Sequence, residues 1–193
     1  MIISLGGPSG VGKGYIKERL LSLYPHIEEM AWLTTRPLRP KELIGTGNRV
    51  SIPLSEFNRL NGLGELVLVQ NLFGHFYGLR KVDLLPSSAI KITEVHPDNM
   101  VEACKVNAEI IAIGLVTSDL SFLRKRLTLV RKTESEAEIE ERVIKAKSEI
   151  ETILQQKHLY ASVIEITEAE EDQVFEKVHA ILQSEIETKG ERR

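Results

Sequence analysis

Eight consecutive residues, Gly7-Pro8-Ser9-Gly10-Val11-Gly12-Lys13-Gly14, carry the strongest chemical signal in the chain. Glycines let the backbone curl until successive N–H groups point at one anion, and a helix starting at Lys13 adds the positive end of its dipole. Lys13 brings a full charge for the β- and γ-phosphates of a nucleotide. The glycine and lysine spacing is that of a Walker A phosphate loop, although Gly14 stands where Ser or Thr ordinarily ligates Mg²⁺. The plain alternative is a glycine-rich turn between a strand and a helix. Further cations lie elsewhere: Arg36 and Arg39 are flanked by Pro37 and Pro40, and Arg124–Lys132 holds five basic residues and no acid. Guanidinium forks pair bidentately with phosphate oxygens, which Lys cannot do. Phosphoryl transfer asks mainly for positioning and charge neutralisation, so cations drawn from separate segments are its expected equipment.

These groups need a scaffold, and the chain alternates short apolar runs with helical patterns. Ile2–Leu5, Met30–Thr34, Leu66–Gln70, Ala89–Glu94, Glu109–Val116 and Ser162–Ile166 read as strands. Lys13–Leu23 reads as a helix with Ile16, Leu20 and Leu23 on one face, followed later by Asp98–Val106 and Asp119–Leu129. Ser135 and Glu138 form a capping-box pattern that opens a long helix to about Gln156, and Asp172–Glu187 closes the chain as a helix. The alternation predicts a layered α/β domain with a mostly parallel sheet. From Arg36 to Gly78 the pattern breaks into Gly, Pro and short strand-like pieces, among them Arg49–Ile52 and a turn at Asn71–Gly74. That stretch reads as an inserted small α/β lobe, against the alternative of a long irregular loop.

Composition narrows the function classes. The 193 residues carry 25 Lys and Arg against 28 Asp and Glu, a net charge of −3, which argues against a general nucleic-acid binder. The first fifty residues nonetheless hold seven basic and four acidic side chains, so a cationic cleft is compatible with the total. No apolar run approaches the ~18–20 residues of a membrane span. Only Ile2–Leu5 separates Met1 from the glycines, so no signal peptide is expected. The single Cys104 excludes an internal disulfide and a cysteine-cluster metal site, and the five histidines show no metal-ligand spacing. The expected protein is cytoplasmic, with no membrane or nucleic-acid partner.

From Gly7 through Gly14, then Thr34-Thr35-Arg36-Pro37-Leu38-Arg39-Pro40, the chain resembles the guanylate kinases. Phe76-Tyr77-Gly78 is similar to their Tyr-Tyr-Gly. Arg126-Leu127, Arg131, Glu134, Ile139, Arg142, Ala146 and Glu149 are similar to their lid helix and the segment after it. The likeness runs over roughly residues 2–185. It implies a three-layer P-loop kinase fold with a mostly parallel central sheet, an inserted acceptor-binding lobe and a helical lid. One guanylate kinase-like domain over 1–193 would have its core at about 1–33, 80–122 and 150–187, its acceptor lobe at about 34–79 and its lid at about 123–149. The resemblance implies ATP and Mg²⁺ as cofactors, a monomer or homodimer, and transfer to the phosphate of a nucleoside monophosphate, GMP to GDP. It assigns Gly7, Pro8, Ser9, Gly10, Val11, Gly12, Lys13, Gly14 and Tyr15 to ATP binding. Arg36, Arg39, Asn48 and Tyr77 fall at acceptor-phosphate positions, and Lys13, Arg131 and Arg142 at positions that neutralise the transferred group.

The chain departs from that pattern where guanine is read. Leu68 stands at the family's guanine-reading glutamate, Leu79 at the Ser or Thr after Tyr-Gly, and Asn48 at a second phosphate-contacting tyrosine. A family aspartate corresponds to Glu94 or His96. Gly45-Thr46-Gly47-Asn48-Arg49 with Leu54-Ser55-Glu56-Phe57 also resembles ribose 1,5-bisphosphate phosphokinases, whose sugar-phosphate acceptor has no base. The third alternative is a non-catalytic guanylate kinase-like module that binds phosphopeptides.

Overall fold

Strand β1 (Ile2–Gly6) is buried along its whole length, because both faces of the sheet it centres are covered. A computed structural model describes residues 1–39, 42, 48–132, 134–167 and 171–190. Five parallel strands form the main sheet in the order β2 (Ile27–Glu29), β7 (Ile90–Glu94), β1, β8 (Ile110–Val116), β9 (Ser162–Glu165). Alternate residues of β1 divide between two cores. Ile3 and Leu5 pack with α1 (Lys13–Leu23), α5 (Leu120–Val130) and α7 (Glu171–Gly190) through Ile16, Leu20, Phe122, Leu123, Val178 and Leu182. Ile2 faces the opposite side with Met100 and Ala103 of α4 (Met100–Val106) and Ile153 of α6 (Glu136–Gln155).

A second sheet has the order β4 (Arg49–Ser51), β3 (Trp32–Thr34), β6 (His75–Arg80), β5 (Leu66–Leu72), with β3 and β4 parallel and the remaining pairs antiparallel. Helix α2 (Leu54–Gly62) seats Phe57 and Leu60 on one face of it, against Leu33 and Leu66. The opposite face, through Trp32, Val67, Leu68 and Leu79, packs into the same core as Ile2 and Met100. Helix α3 (Lys81–Leu84) carries the chain back to β7. Helices α5 and α6 pair through Leu127, Ile139 and Val143, and Ser135 with Glu138 forms the expected capping box at the start of α6.

The layered α/β expectation holds, with a parallel central sheet. The elements β2, β6, α2 and α3 were not read from the sequence. The Gly45-Thr46-Gly47 part of the acceptor motif, Pro40, and Glu168 with Glu170 lie outside the described residues. Among the described residues, no helix is long and apolar enough to cross a membrane.

Candidate phosphate-transfer site

The phosphate loop leaves β1 with Gly7 at φ +148°, where an added Cβ would lie 2.5 Å from the Leu115 carbonyl oxygen. Gly12 precedes α1 at φ +107°, in the left-handed region that glycine tolerates best. The loop thus curls tightly over the carboxyl ends of β1 and β8, and the Val11 side chain is sunk into the core. Lys13 folds back across it, its Nζ donating to the carbonyls of Gly7 at 2.7 Å and Pro8 at 2.9 Å. Burial lowers the Lys13 pKa, against the opposing pull of Glu94 and Glu149. An ammonium bound to neutral carbonyls in such surroundings is well disposed to exchange them for phosphate oxygens.

Under the loop lies a charge cluster. Lys17, one helical turn beyond Lys13, stands 2.7 Å from both Glu29 on β2 and Glu94 at the end of β7. Burial alone would raise the Glu94 pKa. The ammonium groups of Lys17 and Lys13 and the guanidinium of Arg49 outweigh it and bring the carboxyl down to about 2. His96, just after β7, holds Glu149 of α6 at 2.9 Å.

The second group of cations assembles from three segments. Arg36 Nε donates to the Tyr77 hydroxyl at 3.2 Å, and its Nη2 reaches both carboxylate oxygens of Glu42 at 2.7 and 2.9 Å. The Arg39 backbone N–H donates to the same Glu42. Glu134 takes Arg142 bidentately at 2.5 and 2.8 Å and lies 3.9 Å from Arg131. Burial is the first cause that brings the Arg131 pKa down to about 10, and repulsion from Arg39 and Arg142 is next. Burial and repulsion from Arg36 lower Arg39 likewise. Arg131 Nε is buried and finds no acceptor among the described residues. Four guanidinium groups whose charges act on one another, with Glu42 and Glu134 paired among them, leave a local excess of positive charge that suits an anion.

Two predicted residues are engaged away from the arginine cluster. The Asn48 amide donates to the Glu29 carbonyl, at the end of β3 away from Thr34 and Tyr77. Tyr15 donates its hydroxyl to Asp172 of α7 at 2.6 Å, tying α1 to the last helix. Leu68 and Leu79 are fully buried in one apolar cluster with Trp32. Leu68 adopts φ +54° at an irregularity of β5, where Glu102 accepts from its N–H and the Asn99 amide donates to its carbonyl. The Trp32 indole N–H is bound by Thr93.

The loop fits a polyphosphate, but the described side chains offer no coordination set to a divalent cation. Gly14 has no side-chain oxygen to offer, Glu94 is engaged by Lys17, and among the described residues no group of three acidic, His or Cys side chains is disposed to hold a metal. Sequence reasoning missed Lys17, Glu29 and Glu42. The spacing of Lys13 and Lys17 was the available signal, since residues four apart share a helix face.

No protein-family model matches the chain. It is 29% identical over 152 residues to a guanylate kinase of Thermosynechococcus vestitus, covering 77% of this chain and 78% of that protein. To the guanylate kinase of Streptococcus thermophilus it is 30% identical over 154 residues, 78% of this chain and 73% of that protein. The crystal structure of guanylate kinase from Anaplasma phagocytophilum matches with a TM-score of 0.70 over 96% of this chain and 85% of that one, at 21% identity, a likeness of fold.

Proposed function

The chain belongs to the guanylate kinase family, and on that premise we propose that it transfers the γ-phosphoryl group of ATP to the phosphate of a nucleoside monophosphate, GMP first among them. The observation that carries this reading is the buried Nε of Arg131, without an acceptor among the described residues, within a cluster of four arginines. Such a charge excess is costly in a fold unless an anion completes it. An acceptor phosphate and the transferred group are such anions. In this reading Arg36, Arg39 and Tyr77 grip the acceptor phosphate while Arg131 and Arg142 neutralise the transferred group. Lys13 trades its loop carbonyls for β- and γ-oxygens of ATP. Residues 34–79 act as acceptor lobe and 123–149 as lid, whose closure excludes water and suppresses ATP hydrolysis. Mg²⁺ would accompany the nucleotide, held by phosphate oxygens and water rather than by a loop hydroxyl.

One observation favours a second acceptor. Leu68 and Leu79 offer no polar atom to a guanine edge, and the neighbouring Trp32 N–H is already bound. Each hydrogen bond to a charged group contributes roughly 1.5–3 kcal/mol. A ribose 1,5-bisphosphate acceptor has no base to read and does not depend on them. Coupled ADP release with GMP, AMP, CMP, UMP and ribose 1,5-bisphosphate ranks the acceptors. Acceptor-dependent release that falls at least a thousandfold in Lys13→Met is expected. Turnover by that variant close to the wild type, or no release with any acceptor, refutes the kinase reading.

A further inference from the structure

The reversal between β5 and β6 places an aromatic residue where the backbone least favours one. Leu72 pairs with His75, so Phe73 and Gly74 form a two-residue turn, at φ +52° and +76°. Positive φ at both central positions is the pattern that selects Asn-Gly, Asp-Gly or Gly-Gly. A Cβ in this region crowds the carbonyl oxygen of its own residue, which Asn tolerates more readily than Phe. Phe73 also gains little by burial there, since it remains 40% exposed.

What the ring does touch is α6, from a distant part of the chain. The Arg142 guanidinium carbon lies 4.2 Å from the ring centroid, and Lys145 Nζ lies at 5.2 Å. Arg142 and Lys145 are three residues apart on one helix face, so a single ring accepts both. Glu134 grips the edge of the same guanidinium through Nε and Nη2. With its edge held by a carboxylate and its face by a ring, the guanidinium is restrained against rotating or swinging away from Arg39 and Arg131. Phe73 and Arg142 meet at the mouth of a cleft of about 400 Å³ that Gly74, Glu138 and Glu141 also line.

We propose that Phe73 is a positioning residue that clasps Arg142 from across the cleft, joining the β5–β6 hairpin to α6 so that the arginine cluster is assembled for transfer. The role in transfer rests on the kinase reading above; the clasp itself does not. A cation–π contact of this kind, removed, corresponds to about a tenfold change.

Three variants separate the ring from the turn. Phe73→Leu keeps an apolar side chain without the ring, Phe73→Asn suits the turn, and Phe73→Tyr retains the ring. Turnover and hydrogen–deuterium exchange over residues 139–146 are measured together. In Phe73→Leu and Phe73→Asn, kcat is expected to fall about tenfold with the KM for ATP within twofold of wild type, while amide exchange along 139–146 rises. Phe73→Asn is expected to melt no lower than the wild type, and Phe73→Tyr to behave as wild type in both measurements. A kcat within twofold of wild type in Phe73→Leu and Phe73→Asn overturns the role in transfer. Unchanged exchange in both overturns the clasp. A wild-type chain that turns over no acceptor, yet shows the rise in exchange, refutes the kinase reading and leaves the clasp standing.

Discussion

Replacing Lys17 by Met removes the ammonium shared by Glu29 and Glu94 while keeping an unbranched apolar stem in place. The three side chains are 13%, 18% and 22% exposed, so solvent screens them only in part. Glu94 titrates at about 2 in the fold, against 4.5 ordinarily. That depression contributes roughly 3 kcal/mol at pH 7, at ~1.4 kcal/mol for each pH unit between the two values. A depressed carboxyl stabilises the fold fully above its unfolded value and loses that contribution as pH falls through the folded one. The window is therefore about pH 4.5 down to 2, and less than half of the contribution remains at pH 3. Lys17 exerts the largest of the attractions that hold Glu94 down, ahead of Lys13 and Arg49. Lys17→Met is thus expected to lower stability by about 2 kcal/mol at pH 7 and about half as much at pH 3. Urea unfolding at both pH values, followed by the fluorescence of the single, buried Trp32, measures it. Lys17→Met/Glu94→Gln should recover part of the loss, because removing both partners leaves less charge uncompensated. A loss below about 0.5 kcal/mol at pH 7, or an equal loss at both pH values, refutes the reasoning.

The arginine cluster and the phosphate loop make two further predictions. Arg131→Leu removes a cation that burial and its neighbours disfavour, so it should raise stability by about 1 kcal/mol while lowering kcat a hundredfold or more; a variant both less stable and fully active would contradict the anion-site reading. Gly7→Ala meets the Leu115 carbonyl at 2.5 Å and should cost about 2 kcal/mol or more, whereas Gly14→Ser has nothing within 4 Å of its new Cβ and should gain a few tenths. Thermal unfolding of the two variants side by side checks the contrast.

Local features were legible because their physics is local. The loop from Gly7 to Gly14, the helix after it and the Ser135–Glu138 capping box depend on residues within a turn or two of one another. Strands β1 and β8 were legible as continuous apolar runs, which both-sided burial demands. Strand β6 was not, since His75-Phe76-Tyr77-Gly78-Leu79-Arg80 shows no clean alternation and was legible only as a motif. Helix α2 was hidden by its nine-residue length in a stretch dominated by turn signals.

A phosphate loop opening a parallel α/β fold is readable along the chain, and so are Arg36, Arg39, Arg131 and Arg142 as candidate phosphate-binding cations. Which of these charges meet is a matter of packing. Lys17 reaches Glu94 across 77 residues because β7 lies between β1 and β2 in the sheet, an order no local pattern encodes. Arg142 meets Phe73 because α6 crosses the tip of the β5–β6 hairpin. Charge interactions act through space and weaken with distance and solvent, so a residue's charge is written in the sequence but its partner, and hence its task, is set by the packing.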